Sequence, residues 1–96
     1  MAGQTPRVAP LSLPGGDLVA KGLADLEGGV ESIEALLVSI GAPRLVPLGF
    51  ELTPIMSPEH RLYERLAEEE GDAAHSRYNA LVRRLVSFER AAECAS

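Results

Sequence analysis

The stretch DAAHSRYNALVRRLVSFERAAECA, residues 72–95, decides the fold class of this chain. It contains neither proline nor glycine, and apolar side chains return every three or four positions along it. That spacing places them on one face of an α-helix, which must pack against other apolar groups to be stable. The residues of this face are Tyr78, Leu81, Val82, Leu85, Phe88 and Ala92. The stretch therefore predicts a long amphipathic helix that contacts the core of the protein or a partner.

Two short helices are predicted in the first half of the chain. Asp17 follows a Pro-Gly-Gly breaker and stands where its carboxylate can cap a helix over residues 18–27. Gly22 inside this helix costs about 1 kcal/mol relative to alanine, and the close approach of another helix would explain it. The second helix covers residues 30–40, because Gly41 then stands at a C-terminal stop and a proline follows two positions later.

The connection over residues 44–58 is predicted to be irregular, apolar and rich in proline. Its large apolar side chains are expected to fold over the helices as a lid on the core; they are Leu45, Val46, Leu48, Phe50, Leu52, Ile55 and Met56. A third helix follows over residues 58–70, because Ser57 offers a hydroxyl cap and Pro58 suits the first turn. Gly71 then separates it from the last helix, although one continuous, bent helix is an alternative. The predicted fold class is all-α, a small bundle of about four helices.

The domain organisation is predicted to be a single helical domain over residues 15–96 behind a flexible arm. Residues 1–14 hold three prolines and few large apolar side chains, so packing cannot offset the entropy of ordering them. A core of this size yields only a few kcal/mol of stability. Binding of another protein, or of a second copy of the chain in a homodimer, would therefore stabilise it.

The composition predicts a cytoplasmic protein without membrane contact. Cys94 is the only cysteine, so no disulfide can form within the chain. No apolar run reaches the length of a signal-peptide core or of a membrane span.

The net charge of −5 is unevenly distributed. Residues 1–71 are acidic, whereas residues 72–96 carry four arginines against three acids. An acidic chain repels the phosphates of nucleic acids and of anionic membranes, so nucleic acid is not the expected partner. On a helical wheel the four arginines form two stripes beside the apolar face, where they would cover the rim of the core or contact a partner. These predicted partner contacts are Arg77, Arg83, Arg84 and Arg90.

Glu89 is the acid that falls inside the apolar face of the last helix. A carboxylate in that position is costly unless it is paired. Arg61 or Arg65 of the third helix would reach it if the two helices pack antiparallel, and this pair within the chain is preferred because both arginines stand on the neighbouring helix. In the alternative, Glu89 meets a basic group of a partner and joins the four arginines as a partner contact.

No motif for catalysis, a cofactor or a metal occurs in the sequence. The pairs His60/Glu64 and Asp72/His75 have helical spacing, but a di-metal site requires further inward carboxylates, so both are predicted to lie at the surface. No catalytic, cofactor-binding or metal-ligating residue is assigned. The sequence predicts a non-catalytic helical interaction module or small accessory subunit. The alternative is a small DNA-binding regulator or antitoxin-like protein that uses the arginine-rich last helix.

Overall fold

The computed structural model describes residues 11–95, and every regular element among them is helical. The α-helices are α1 (Gly16–Glu27), α2 (Ile33–Leu45), α3 (Pro58–Glu70) and α4 (Ala74–Ala95). Two short 3₁₀ turns, Val46–Leu48 and Gly71–Ala73, extend α2 and join α3 to α4. The all-α class is confirmed. The expected number of about four helices is corrected to three. When the 3₁₀ turns are included, the helical residues of the described chain form three uninterrupted segments, 16–27, 33–48 and 58–95.

The junction between α3 and α4 reverses the direction of the chain. Helical turns continue through it, as the continuous-helix alternative anticipates, but Gly71 adopts a φ of +57° and the chain folds back. The rings of Tyr63 and Tyr78 consequently lie 5.8 Å apart, whereas a straight helix would separate these positions by about 22 Å. The outcome is an antiparallel helical hairpin, not a gently bent rod.

The second helix is the centre of the fold. Its five consecutive residues 35–39 are all buried, and five successive positions cover every side of a helix. The residues around it come from α1, α3 and α4, each of which packs against α2. Because α2 is apolar all round instead of along one stripe, the other helices can surround it. The core therefore lies around α2.

The boundaries of α2 differ from those predicted. Ser32 caps its start by accepting a hydrogen bond at Oγ from the Ala35 N–H, 3.0 Å away. Gly41 and Pro43, predicted as stop signals, lie inside the helix. Pro43 leaves the carbonyl of Ser39 without its helical hydrogen bond. The burial of the surrounding last turn compensates, so tertiary packing overrides the local signal.

Gly22 has the role that its position predicts. A Cβ at this position would overlap the carbonyl oxygen of Glu34 and would stand 2.7 Å from Cγ1 of Val38. The absence of a side chain lets α1 and α2 approach at their backbones. The predicted cap of α1 is wrong, since Gly15 occupies the N-cap position and Asp17 lies in the first turn.

The two ends of the described chain bear on other predictions. Residues 1–10 of the predicted arm, and residue 96, lie outside the described residues. Within residues 11–14, the Leu13 carbonyl accepts a hydrogen bond of 2.8 Å from the Gly16 N–H, and the Leu13 side chain packs against the core. Ser57 precedes α3 as predicted, but it has a φ of +51° and its hydroxyl makes no capping hydrogen bond. None of the described helices has the length and apolar character that a membrane crossing requires.

Candidate functional site

Residues 49–57, here called the connecting segment, run back along α2 from its C-terminal end to the start of α3. Gly49 turns the chain with a φ of +105°, and the Phe50 ring then packs against Phe88 of α4 with centroids 5.9 Å apart. Further along, the Ile55 N–H donates to Ser39 Oγ at 3.0 Å. The segment is therefore fixed to the helices near both of its ends. The prediction that this part of the chain covers the core is confirmed for Phe50, which is buried.

Other apolar side chains in and beside the connecting segment remain open to solvent. Met56 is 83% exposed and Val46, just before the segment, is 51% exposed. Leu52 and Ile55 are half-buried, with one side against the core. A scattered exposed apolar side chain is ordinary, but several around one fixed segment form a patch of the kind found at binding surfaces.

A cleft of about 920 Å³ opens on one side of the connecting segment, between its first residues and α1. The large apolar side chains that line this α1 cleft are Leu23, Leu26, Val46, Phe50 and Leu52. Ala24 and Thr53 also line it, and the charged residues among its lining are Glu27 and Glu51. The cleft therefore combines apolar side chains with two negative charges.

A second groove of about 560 Å³ lies on the other side of the connecting segment, against the end of α2. Four prolines line this proline groove: Pro43, Pro47, Pro54 and Pro58. Val46 lines both depressions. Proline rings are rigid and their φ angles are fixed, so this wall loses little conformational freedom when something binds to it.

The acids of α1, of the turn that follows it and of the connecting segment differ in their partners. Asp25 lies 2.7 Å from the Lys21 amine and accepts a hydrogen bond from Ser32; the first of these contacts and then the second lower the pKa of its carboxyl. Glu31 is held by the Arg61 guanidinium, which lowers the pKa of its carboxyl. Within residues 11–95, Glu27 and Glu51 make no such ion pair. The charge of the α1 cleft is accordingly uncompensated within the described chain.

The four arginines predicted as partner contacts fall into two classes. Arg84 lies 3.2 Å from Asp17 of α1, and Arg77 lies 3.3 Å from Glu70 at the end of α3. Arg83 and Arg90 are exposed and have no ion pair inside the part of the chain that the structure describes. The first two therefore tie α4 to its neighbours, and the last two are the ones available to a partner.

Glu89 is buried at 2% exposure, between α4 and α2. Its Oε1 lies 3.6 Å from Nη1 of Arg44, while its Oε2 has no hydrogen-bond partner among the described residues. That oxygen stands 2.7 Å from where a Cβ on Gly41 would lie. Burial raises the pKa of the Glu89 carboxyl. The nearby Arg44 guanidinium lowers this pKa, and the negative charge of Glu93 raises it further. Glu89 occupies the space that the glycine leaves open.

The predicted pairing of Glu89 with Arg61 or Arg65 is wrong. Both arginines point to Glu31 at the start of α2: Arg61 binds its carboxylate and Arg65 its main-chain carbonyl. Arg44, at the far end of α2, faces Glu89 instead. The sequence reasoning missed Arg44 because it lies next to the expected stop of α2. Only the extension of that helix brings it beside α4.

The histidines and acids of the described chain assemble no metal site. No group of three or more potential ligands occurs within residues 11–95. His60 and Glu64 form an exposed pair at 3.2 Å, and the His75 ring faces Asn79 at 3.3 Å. Both histidines therefore belong to surface contacts along single helices.

No protein-family model, curated protein or solved structure matches this chain. The geometry of the surface around the connecting segment is therefore the basis on which a function can be proposed.

Proposed function

We propose that this protein is a non-catalytic helical module, or a small accessory subunit, that binds another protein through the surface around the connecting segment. The observation that carries the proposal is the exposure of Met56 and Val46 beside two apolar depressions. Apolar side chains grouped in this way gain free energy when a partner removes them from water. The surface is in addition pre-formed, because the contacts of Phe50 and Ile55 fix the segment, which lowers the entropic cost of binding.

The predicted contacts in α4 define a second surface. Arg83 and Arg90 are exposed and would meet acidic groups of the same partner or of a second copy of the chain. Glu89, which is buried, would take part only through Arg44, whose half-exposed side chain lies 3.6 Å from it. The arginines support the proposal as polar contacts at the rim of an interface, where single ion pairs contribute little affinity.

Binding to DNA, the alternative function, receives less support. Affinity for DNA grows with the number of phosphates that basic side chains neutralise. Asp17 and Glu70 already neutralise two of the four arginines in α4, and the chain has a net charge of −5. Two remaining arginines on one helix make a small basic surface. A gel shift with nanomolar affinity that weakens steeply with salt would promote this alternative.

The test uses exposed apolar residues inside and outside the proposed surface. Val46→Thr combined with Met56→Gln makes the surface polar, and Val30→Thr is the matched control because Val30 is 53% exposed and lies in the turn between α1 and α2. Each tagged variant is used for affinity purification from the native host, followed by mass spectrometry. We expect a specific partner to be lost from the double variant and retained by the control. Equal recovery in both, with folding intact, would overturn the proposal.

A further inference from the structure

We propose that the α1 cleft binds a basic, amphipathic segment of the partner protein, one that carries leucine-like side chains beside lysine or arginine. This inference rests on the proposed function and specifies the chemistry of the partner. The walls of the cleft include the apolar side chains of Leu23, Leu26 and Leu52, so an occupant with apolar side chains gains from desolvation there. A purely charged or polar segment would leave these walls without a match.

The negative charge of the cleft decides which charge the occupant must carry. Glu27 and Glu51 are the charged residues of its lining, and both are exposed. Lys21, the single lysine of the chain, is held 2.7 Å from Asp25 and does not line the cleft. An acidic segment would meet two uncompensated carboxylates and be repelled, whereas a basic one would pair with both.

A second copy of this chain is a poor occupant for the same cleft. The exposed arginines of the described chain that lack an ion pair are Arg83 and Arg90, and Ser87 lies between them on the exposed side of α4. The exposed positions of that side offer charge without large apolar side chains. It therefore supplies one of the two required properties, and a different protein must supply both.

The first experiment measures binding of a defined probe. A fluorescently labelled synthetic peptide of leucine and lysine, designed as an amphipathic helix, is titrated with the full-length protein and followed by anisotropy. A peptide with glutamate in place of lysine is its control. We expect the lysine peptide to bind with micromolar affinity and the glutamate peptide not to bind. Absence of binding by the lysine peptide, or equal binding of both peptides, would overturn the inference.

Charge variants locate the site. Glu27→Gln with Glu51→Gln should weaken binding of the lysine peptide about tenfold, since two exposed ion pairs are lost. Glu68→Gln with Asp72→Asn removes the same charge from exposed positions outside the cleft that have no ion pair within residues 11–95. It should change the affinity less than about twofold. An equal loss in both variants would show a general attraction to an acidic protein and would overturn the inference.

Ala24 is an exposed alanine that lines the cleft, so a positive or a negative charge can be introduced at this one position. Ala24→Lys should weaken binding and Ala24→Glu should strengthen it, each by about threefold. Ala67→Lys makes the same change at an exposed alanine of α3 and should have little effect. Both Ala24 variants keep good helix formers on a helix surface, so folding is expected to persist. Equal affinities in the two Ala24 variants would contradict a site in this cleft.

Two further results are decisive. The first distinguishes this inference from the proposed function, and the second tests whether the chain's own N-terminal segment occupies the cleft. If Val46→Thr with Met56→Gln abolishes capture of the native partner while Ala24→Lys leaves it unchanged, the proposed function stands and this inference fails. Removal of residues 1–10, which contain Arg7 and no acid, should leave the affinity for the lysine peptide within about twofold. A tenfold gain on their removal would overturn the inference, because the occupant would then be the chain's own N-terminal segment.

Discussion

Two glycines allow α2 to pack closely against its neighbours, but the groups that they face differ. Gly22 of α1 faces the backbone of α2, where a Cβ would overlap the carbonyl oxygen of Glu34. Gly41 of α2 faces the side chains of α4, where a Cβ would meet Oε2 of Glu89 and the methyls of Leu85. A backbone in a packed helix cannot move aside, whereas the end of a side chain can. The first contact is therefore rigid, and the second is adjustable and carries a charge.

The largest expected effect is that of Gly22→Ala. The new methyl must push α1 away from α2, and we expect a loss of about 2–3 kcal/mol in the free energy of unfolding, since overpacking outweighs the gain of about 1 kcal/mol in helix propensity. Urea denaturation followed by circular dichroism measures it. Gly28→Ala is the control, because its Cβ would meet ordinary contacts, the nearest at 3.5 Å. Similar stabilities for the two variants would contradict the backbone contact.

A smaller loss is expected for Gly41→Ala, because the groups that it would strike are side chains. The same denaturation experiment should show a decrease of about 1–2 kcal/mol. Introducing Gly41→Ala into a Glu89→Ala background tests the cause, since the carboxylate is then absent. The cost of the alanine should fall by about 1 kcal/mol in that background, as expected for residues in direct contact. Additive effects would mean that Glu89 is not the group that Gly41 accommodates.

The carboxylate of Glu89 at the Gly41 contact predicts that the free energy of unfolding depends on pH. The pKa of Glu89 is raised in the folded protein above its ordinary value of 4.5, first of all by burial. The folded state therefore binds this proton more tightly than the unfolded state, and the contribution of Glu89 to stability declines as the pH rises through the raised pKa. Glu89→Gln lacks this decline.

The measurement for Glu89 is a series of urea midpoints between pH 4.5 and pH 8, compared between the wild type and Glu89→Gln. At the upper end the variant should be as stable as the wild type or more stable, by up to about 1 kcal/mol. Towards acid the difference should move in favour of the wild type. The pKa values of Asp25 and Glu31 are lowered, so their contributions to the stability of the protein decline towards acid. This decline is the same in both proteins and cancels in the difference. Parallel curves would exclude a shifted titration of Glu89.

The smallest effects are expected from arginines that form ion pairs between helices at the surface. Arg84→Gln removes the ion pair with Asp17, which is 75% exposed, and should change the free energy of unfolding by less than about 0.5 kcal/mol. Arg44→Gln removes both the 2.8 Å ion pair with Glu93 and the cation beside buried Glu89, and it should cost more at pH 8. Its excess cost should shrink towards acid, where Glu89 takes up a proton. If both substitutions cost the same at every pH, Arg44 does not compensate Glu89.

Local patterns in the sequence predicted the helices with their approximate positions, and did so for a physical reason. Glycine, proline and the spacing of apolar residues act within a few positions of the chain, so α1, α3 and α4 begin and end near their predicted boundaries. Gly22 was recognised as a site of close approach because glycine in a helix is costly without one. The apolar connection was expected to cover the core, and this prediction is wrong for Met56 and Val46, which are exposed.

The tertiary structure alone decided how these pieces meet. The burial of Ala42 and Leu45 accompanies the extension of α2 past Gly41 and Pro43. This extension brought Arg44, instead of Arg61 or Arg65, to the carboxylate of Glu89. The amphipathic pattern placed Glu89 on the apolar face of α4, but the position of its charged neighbour depends on contacts between residues distant in the chain. The α1 cleft is of the same kind, because Glu27 and Glu51 line one cleft only once the connecting segment lies beside α1. Helical periodicity is a local property, whereas pairing across helices depends on the packing free energy of the whole core.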